Sequence, residues 1–128
     1  MESISPNFFV RDMNQTIAFY KELGFSVVMT VPETGNFDWV MMNKGKVNFM
    51  FQSFSSIGDD LPQISRNDGG SLLLYIQVTG ILAFFETLKG KATIVSDLQK
   101  TFYGATEFSI LDCNGFVLTF AEDVEAEN

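Results

Sequence analysis

The sequence predicts an α+β fold in which two tandem βαβββ repeats form curved mixed sheets around a cleft. Three observations predict it. An amphipathic helical stretch flanked by alternating strands occurs twice along the 128 residues. Residues 17–23, IAFYKEL, lie 65 positions before residues 82–88, LAFFETL. Residues 37–51, FDWVMMNKGKVNFMF, lie 69 positions before residues 106–120, TEFSILDCNGFVLTF, turn opposite turn. The expected organisation is one domain over 1–128, with a first repeat over 4–52, a linker over 53–70, a second repeat over 71–122 and an acidic tail over 123–128.

Each element has its own reason. Residues 4–10 read as a strand and 11–23 as a helix, where Asp12 and Gln15 have capping-box spacing and Ile17, Phe19 or Tyr20, and Leu23 supply an apolar stripe. Gly24 stands where a left-handed stop is expected. Residues 25–31, 37–42 and 47–51 read as three strands, the last two joined at Asn43-Lys44-Gly45-Lys46. The stretch 53–70 is rich in Ser, Asp, Gly and Asn and reads as a linker, with Asp59, Asp60 and Arg66 simply solvated. A strand over 72–78, a helix over 81–88 and three more strands follow, the last two joined at Asp112-Cys113-Asn114-Gly115.

Composition narrows the chemistry. The chain has no histidine, which removes Ser/His and Cys/His nucleophile pairs, His general bases and every His-containing metal site. Cys113 is the single cysteine and has no base to activate it, so it reads as a bystander. Eight Lys+Arg against 16 Asp+Glu give a net charge of −8, which argues against nucleic acid or an anionic membrane surface as partner. Glu2, Glu122, Asp123, Glu125 and Glu127 lie at the two ends and read as solvated termini; setting these five aside from −8 leaves a body of −3. No apolar run approaches the length of a membrane span and no leader pattern is present, so the expectation is a soluble, cytoplasmic protein.

Strand parity separates two faces. One is apolar throughout: Phe8 and Val10; Val47, Phe49 and Phe51; Leu72, Leu74, Ile76 and Val78; Phe116, Leu118 and Phe120. The helices should cover it. The other is mixed: Ser5, Asn7, Phe9; Asn48, Met50, Gln52; Leu73, Tyr75, Gln77; Val117, Thr119, Ala121. Such a face suits a small-molecule cleft, and equally another sheet or solvent. The gapless repeat alignment gives Trp39 the parity of Phe49, hence the covered side, and puts Asp38 and Glu107 at equivalent positions facing the mixed side, as candidate bases.

Paired βαβββ units with RDMNQTIAFYKELGF after the first strand and LDCNGFVLTFAE at the end resemble the vicinal-oxygen-chelate superfamily, the family of glyoxalase I, extradiol dioxygenases and the bleomycin and fosfomycin resistance proteins. The resemblance spans 5–122. It rests on a D-x-x-x-(S/T)-x-x-F-Y-x-x-L-G-F pattern matched by Asp12, Thr16, Phe19, Tyr20, Leu23, Gly24 and Phe25, and on a D-P-x-G turn matched by Asp112 and Gly115, with Cys113 in place of proline. It implies four metal-ligand positions, which fall at Ser5, Met50 (with Gln52 as rival), Leu73 and Thr119. None offers an imidazole or carboxylate, so neither metal nor other cofactor is expected. It also implies a homodimer whose chains complete each other's sites, and an aromatic-Gly pair beside the ligand, here Tyr103-Gly104.

The functional expectation is a metal-free, bleomycin-resistance-like protein that binds a neutral or cationic small molecule at Ser5, Asn7, Phe9, Asn48, Met50, Gln52, Leu73, Tyr75, Tyr103 and Thr119. The alternative is a non-metal lyase, isomerase or epimerase using Asp38 or Glu107 as base. A third possibility is a structural or regulatory chain with no ligand.

Overall fold

The computed structural model describes residues 1–123, so of the expected acidic tail only Asp123 is within the described residues. The chain separates into two units, 1–68 and 69–128.

In the first unit, the chain enters β1 (Asn7–Val10) and turns into α1 (Met13–Glu22). Asp12 caps that helix, its Oδ1 accepting from the Gln15 N–H at 3.0 Å. Gly24, at φ +99°, ends it. The buried stripe is Met13, Thr16, Tyr20 and Leu23, whereas Ile17 is only half-buried. Three strands follow: β2 (Ser26–Val31), β3 (Trp39–Lys44) and β4 (Val47–Ser53). The sheet order is β1-β4-β3-β2, with β1 parallel to β4 and the other pairs antiparallel.

Phe8, Val10, Phe49 and Phe51 lie on the covered face, each at most 3% exposed. The Tyr20 ring packs 4.7 Å from Phe51 and edge-on to Phe25 and Phe49, and Phe25 stacks on Phe49 at 5.2 Å. Each such pair adds about 0.5–1.5 kcal/mol beyond its burial. This aromatic cluster fixes helix to sheet.

The segment expected to be a bare linker is more ordered than its composition suggests. Ser53 caps a four-residue helix, α2 (Phe54–Ile57), by accepting from the Ser56 N–H. Arg66, read from sequence as solvated, donates instead to the carbonyls of Gly58, Asp60, Leu61 and Ile64. One guanidinium thereby satisfies the carbonyls of a segment that lacks strand partners.

The second unit contains β5 (Leu73–Gln77), α3 (Ile81–Leu88), β6 (Thr93–Lys100), β7 (Ala105–Leu111) and β8 (Val117–Asp123), with sheet order β5-β8-β7-β6. Ile81, Phe85 and Leu88 bury against the sheet, and the Phe108 ring meets Phe85 at 5.0 Å and Phe120 at 5.3 Å. Leu72 departs from expectation: it precedes β5 and is 52% exposed. Glu122 departs too. Its carboxylate accepts from the N–H groups of Gly80 and Ile81 at 2.9 and 3.1 Å and caps α3, which Gly80 has no side chain to cap.

The two hairpins differ in one decisive way. Lys44 pairs with Val47 across a two-residue turn, whereas Leu111 pairs with Val117 across five residues. Asp112 builds the longer turn: its Oδ1 accepts from the N–H groups of Asn114 and Phe116, and its own N–H donates to the Phe116 carbonyl. Counted from the paired core residues Val40–Phe51 and Phe108–Phe120, the second connection is one residue longer. A gapless alignment across the turn therefore inverts parity in the preceding strand. Trp39 lies opposite Gln52 on the mixed face, while Val40 and Met42 are the fully buried residues of β3. This corrects the expectation that Trp39 faces the core.

Candidate functional site

Each unit has a mixed sheet face. In the first, the register sets Asn7 beside Met50 and Phe9 beside Gln52, with Trp39 and Met41 opposite Gln52 and Met50. The Asn7 amide donates to Gln52 Oε1 at 3.0 Å, and Asn7 Oδ1 is buried without a partner. Asn48 lies at the hairpin end, where its Oδ1 accepts from the Asn43 amide. Ser5 precedes β1. Asp38 does not join this group. It falls one residue before β3, with its carbonyl accepting from the Ser53 N–H, which sets it on the side of Val40. The expectation that it faces the mixed side fails for the same reason as Trp39's parity.

In the second unit the expected residues converge. Tyr75 pairs with Thr119, and Glu107 with Ala121, so Tyr75 on β5 and Glu107 on β7 flank β8. The phenol of Tyr75 reaches over the small Ala121 and donates to Glu107 Oε2. Tyr103, in the turn before β7, donates to the same oxygen at 2.6 Å. Both phenols are held above their ordinary pKa, chiefly by these hydrogen bonds to the Glu107 carboxylate. Leu73 and Tyr75 are about half exposed. Ser109, absent from the sequence-based set, meets the buried Thr119 hydroxyl at 2.8 Å. Its parity with Glu107 along one strand was the available signal.

The four positions that the resemblance assigns to metal ligands do not fit a divalent ion. Ser5, Met50, Leu73 and Thr119 provide two hydroxyls, a thioether and a hydrocarbon, and the Thr119 hydroxyl is engaged by Ser109. Among the described residues no three His, Cys, Asp or Glu side chains are grouped to hold a metal. No helix among them is long and apolar enough to cross a membrane.

A cavity of about 590 Å³ also opens in the second unit, where the start of α3 meets the ends of β6, β7 and β8. Its lining includes Leu82, Leu98, Lys100 and Glu122 and none of the expected site residues. Glu122 is already committed to capping α3.

Curated protein sequences give no match. Among solved structures, the chain is similar to TioX from Micromonospora sp. ML1 (17% identity over 97% of this chain and 100% of that one, TM-score 0.77). It is also similar to the bleomycin resistance determinant encoded on the transposon Tn5 (20% identity, 96% and 98% coverage, TM-score 0.68) and to a bleomycin-binding protein complexed with bleomycin (18% identity, 96% and 99% coverage, TM-score 0.65). At these identities the likeness is one of fold. The family model "Glyoxalase/Bleomycin resistance protein/Dioxygenase superfamily" matches residues 4–120, and with two four-stranded mixed sheets in βαβββ order the chain belongs to that superfamily.

Proposed function

We propose that this chain is a metal-free, small-molecule-binding protein of the bleomycin-resistance type, holding a neutral or cationic, flat, partly apolar ligand on its mixed sheet faces. One observation carries the reading: the paired positions of these faces combine amides, hydroxyls and exposed apolar surface with no Lys or Arg. Lys44 and Lys100 pair with Val47 and Thr106, on the opposite sides. A phosphate or polycarboxylate would lose hydration there without a matching cation. The family match and the fold shared with a bleomycin-binding protein support the same direction.

A homodimer belongs to this reading. β2 is an edge strand whose Val28, Met29 and Val31 are each more than half exposed, a surface that a second copy of the chain would cover. Sedimentation at micromolar concentration should give a species twice the 14.3 kDa chain. A monomer alone refutes this part.

The ligand reading is tested by thermal shift against neutral and cationic heteroaromatics, bleomycin included, beside anionic controls. A ligand at about 100 times its Kd adds roughly 2.7 kcal/mol. Stabilisation confined to anions overturns it, and stoichiometric metal surviving dialysis overturns the metal-free assignment. The enzyme alternative now centres on Glu107, since Asp38 lies on the other side of its sheet. Turnover of hemithioacetals or epimerisable thioesters that Glu107→Gln abolishes would favour it.

A further inference from the structure

We propose that Glu107, Tyr75 and Tyr103 form a recognition site for a protonated amine carried on an aromatic body, an inference that rests on the small-molecule-binding reading above. Both phenols donate to Oε2, so Oε1 accepts no hydrogen bond from the described residues. No ion pair among them engages Glu107, and the nearby Lys100 leaves the sheet on the opposite side, opposite Thr106. The carboxylate is thus an uncompensated charge with one oxygen to spare.

The surroundings select what fills it. Tyr75 and Tyr103 are 48% and 58% exposed, and Phe102, fully exposed, stands edge-on to Tyr103 at 5.0 Å. Aromatic faces beside an anion attract an organic cation through the ring quadrupole as well as through charge. An ammonium has three N–H donors, and Oε1 and the phenol oxygens have lone pairs to receive them. A quaternary ammonium would keep the charge but forfeit the hydrogen bond to Oε1. An anion meets only repulsion. The phenols are held above their ordinary value by these hydrogen bonds, so they remain donors at neutral pH. A cation arriving at Oε1 should draw both phenols back down.

The test titrates the full chain with phenethylamine, its neutral N-acetyl derivative and trimethyl(phenethyl)ammonium, followed by NMR of the tyrosine rings and glutamate side chains. Phenethylamine should bind at least about tenfold more tightly than the amide, and more tightly than the quaternary ion. It should also lower the alkaline titration midpoint of Tyr75 and Tyr103. Glu107→Gln should erase the preference for the amine over the amide, and Glu107→Asp should restore part of it. Equal affinity for amine and amide, or an amine affinity that a folded Glu107→Gln variant retains, overturns the cation site and leaves the small-molecule reading standing. Absence of any perturbation by all three probes at millimolar concentration also overturns it; the small-molecule reading is then decided separately by the thermal-shift library.

Discussion

Replacing Asp112 with alanine tests the turn on which the register of the second sheet depends. Its carboxylate oxygen Oδ1 accepts from Asn114 N–H at 2.9 Å and Phe116 N–H at 2.8 Å, and all three residues are at most 9% exposed. Alanine removes the acceptor that both donors share. A hydrogen bond to a charged group contributes about 1.5–3 kcal/mol, so losing two should cost roughly 3 kcal/mol together, a large share of a typical domain stability of about 5–15 kcal/mol. Asp112→Asn retains a neutral acceptor of the same shape and should cost about 1 kcal/mol. Urea unfolding followed by far-UV circular dichroism measures both, with the slope checked for constancy. Thr119, three residues beyond Phe116, should also lose its contact with Ser109 in the alanine variant, visible as a shift of the hydroxyl-bearing residues by NMR. A loss below about 0.5 kcal/mol for Asp112→Ala, or equal losses for the two variants, would refute the account of the turn.

Three further outcomes follow from other parts of the molecule. Val40→Asp should cost more than about 4 kcal/mol or prevent folding, because Val40 is fully buried, whereas Trp39→Asp should cost far less; denaturation midpoints in the reverse order would mean the β3 register is wrong. Gly69→Ala should lower the denaturation midpoint by about 1 kcal/mol or more, since Gly69 has φ +73° and a Cβ there would stand 2.6 Å from the Gly115 carbonyl oxygen; an unchanged midpoint contradicts that close approach. Glu107→Gln should return the titration midpoints of Tyr75 and Tyr103, followed by tyrosinate absorbance, towards the ordinary value of 10.0. Their folded pKa values are raised, so the stabilisation they contribute is present below the unfolded value and lost as pH rises through the folded one; the variant should therefore show a shallower alkaline loss of stability, and an identical alkaline profile counts against the hydrogen bonds.

Hydrophobic alternation and helix punctuation are local signals, and they carried far here. The βαβββ order, the Asp12 cap, the Gly24 stop and the apolar stripe of Phe8, Val10, Phe49, Phe51, Leu118 and Phe120 are all readable from residues within a turn or a strand of one another. The absence of histidine and the residue types at Ser5, Met50, Leu73 and Thr119 are likewise plain in the chain. What the sequence could not specify was register across a turn of unknown length. The connection between the paired core residues is one residue longer in the second hairpin than in the first, so a gapless alignment inverts parity in the preceding strand, and the observed register puts Trp39 on the mixed side and Asp38 off it. Nor could it specify partners distant along the chain: Arg66 gathering four carbonyls, Glu122 capping a helix that begins 41 residues earlier, and two tyrosines meeting on one oxygen of Glu107. Composition identifies polar groups, but which of them a fold satisfies and which it leaves open is decided only when strands pair and carry side chains from far apart in the chain to the same few ångströms.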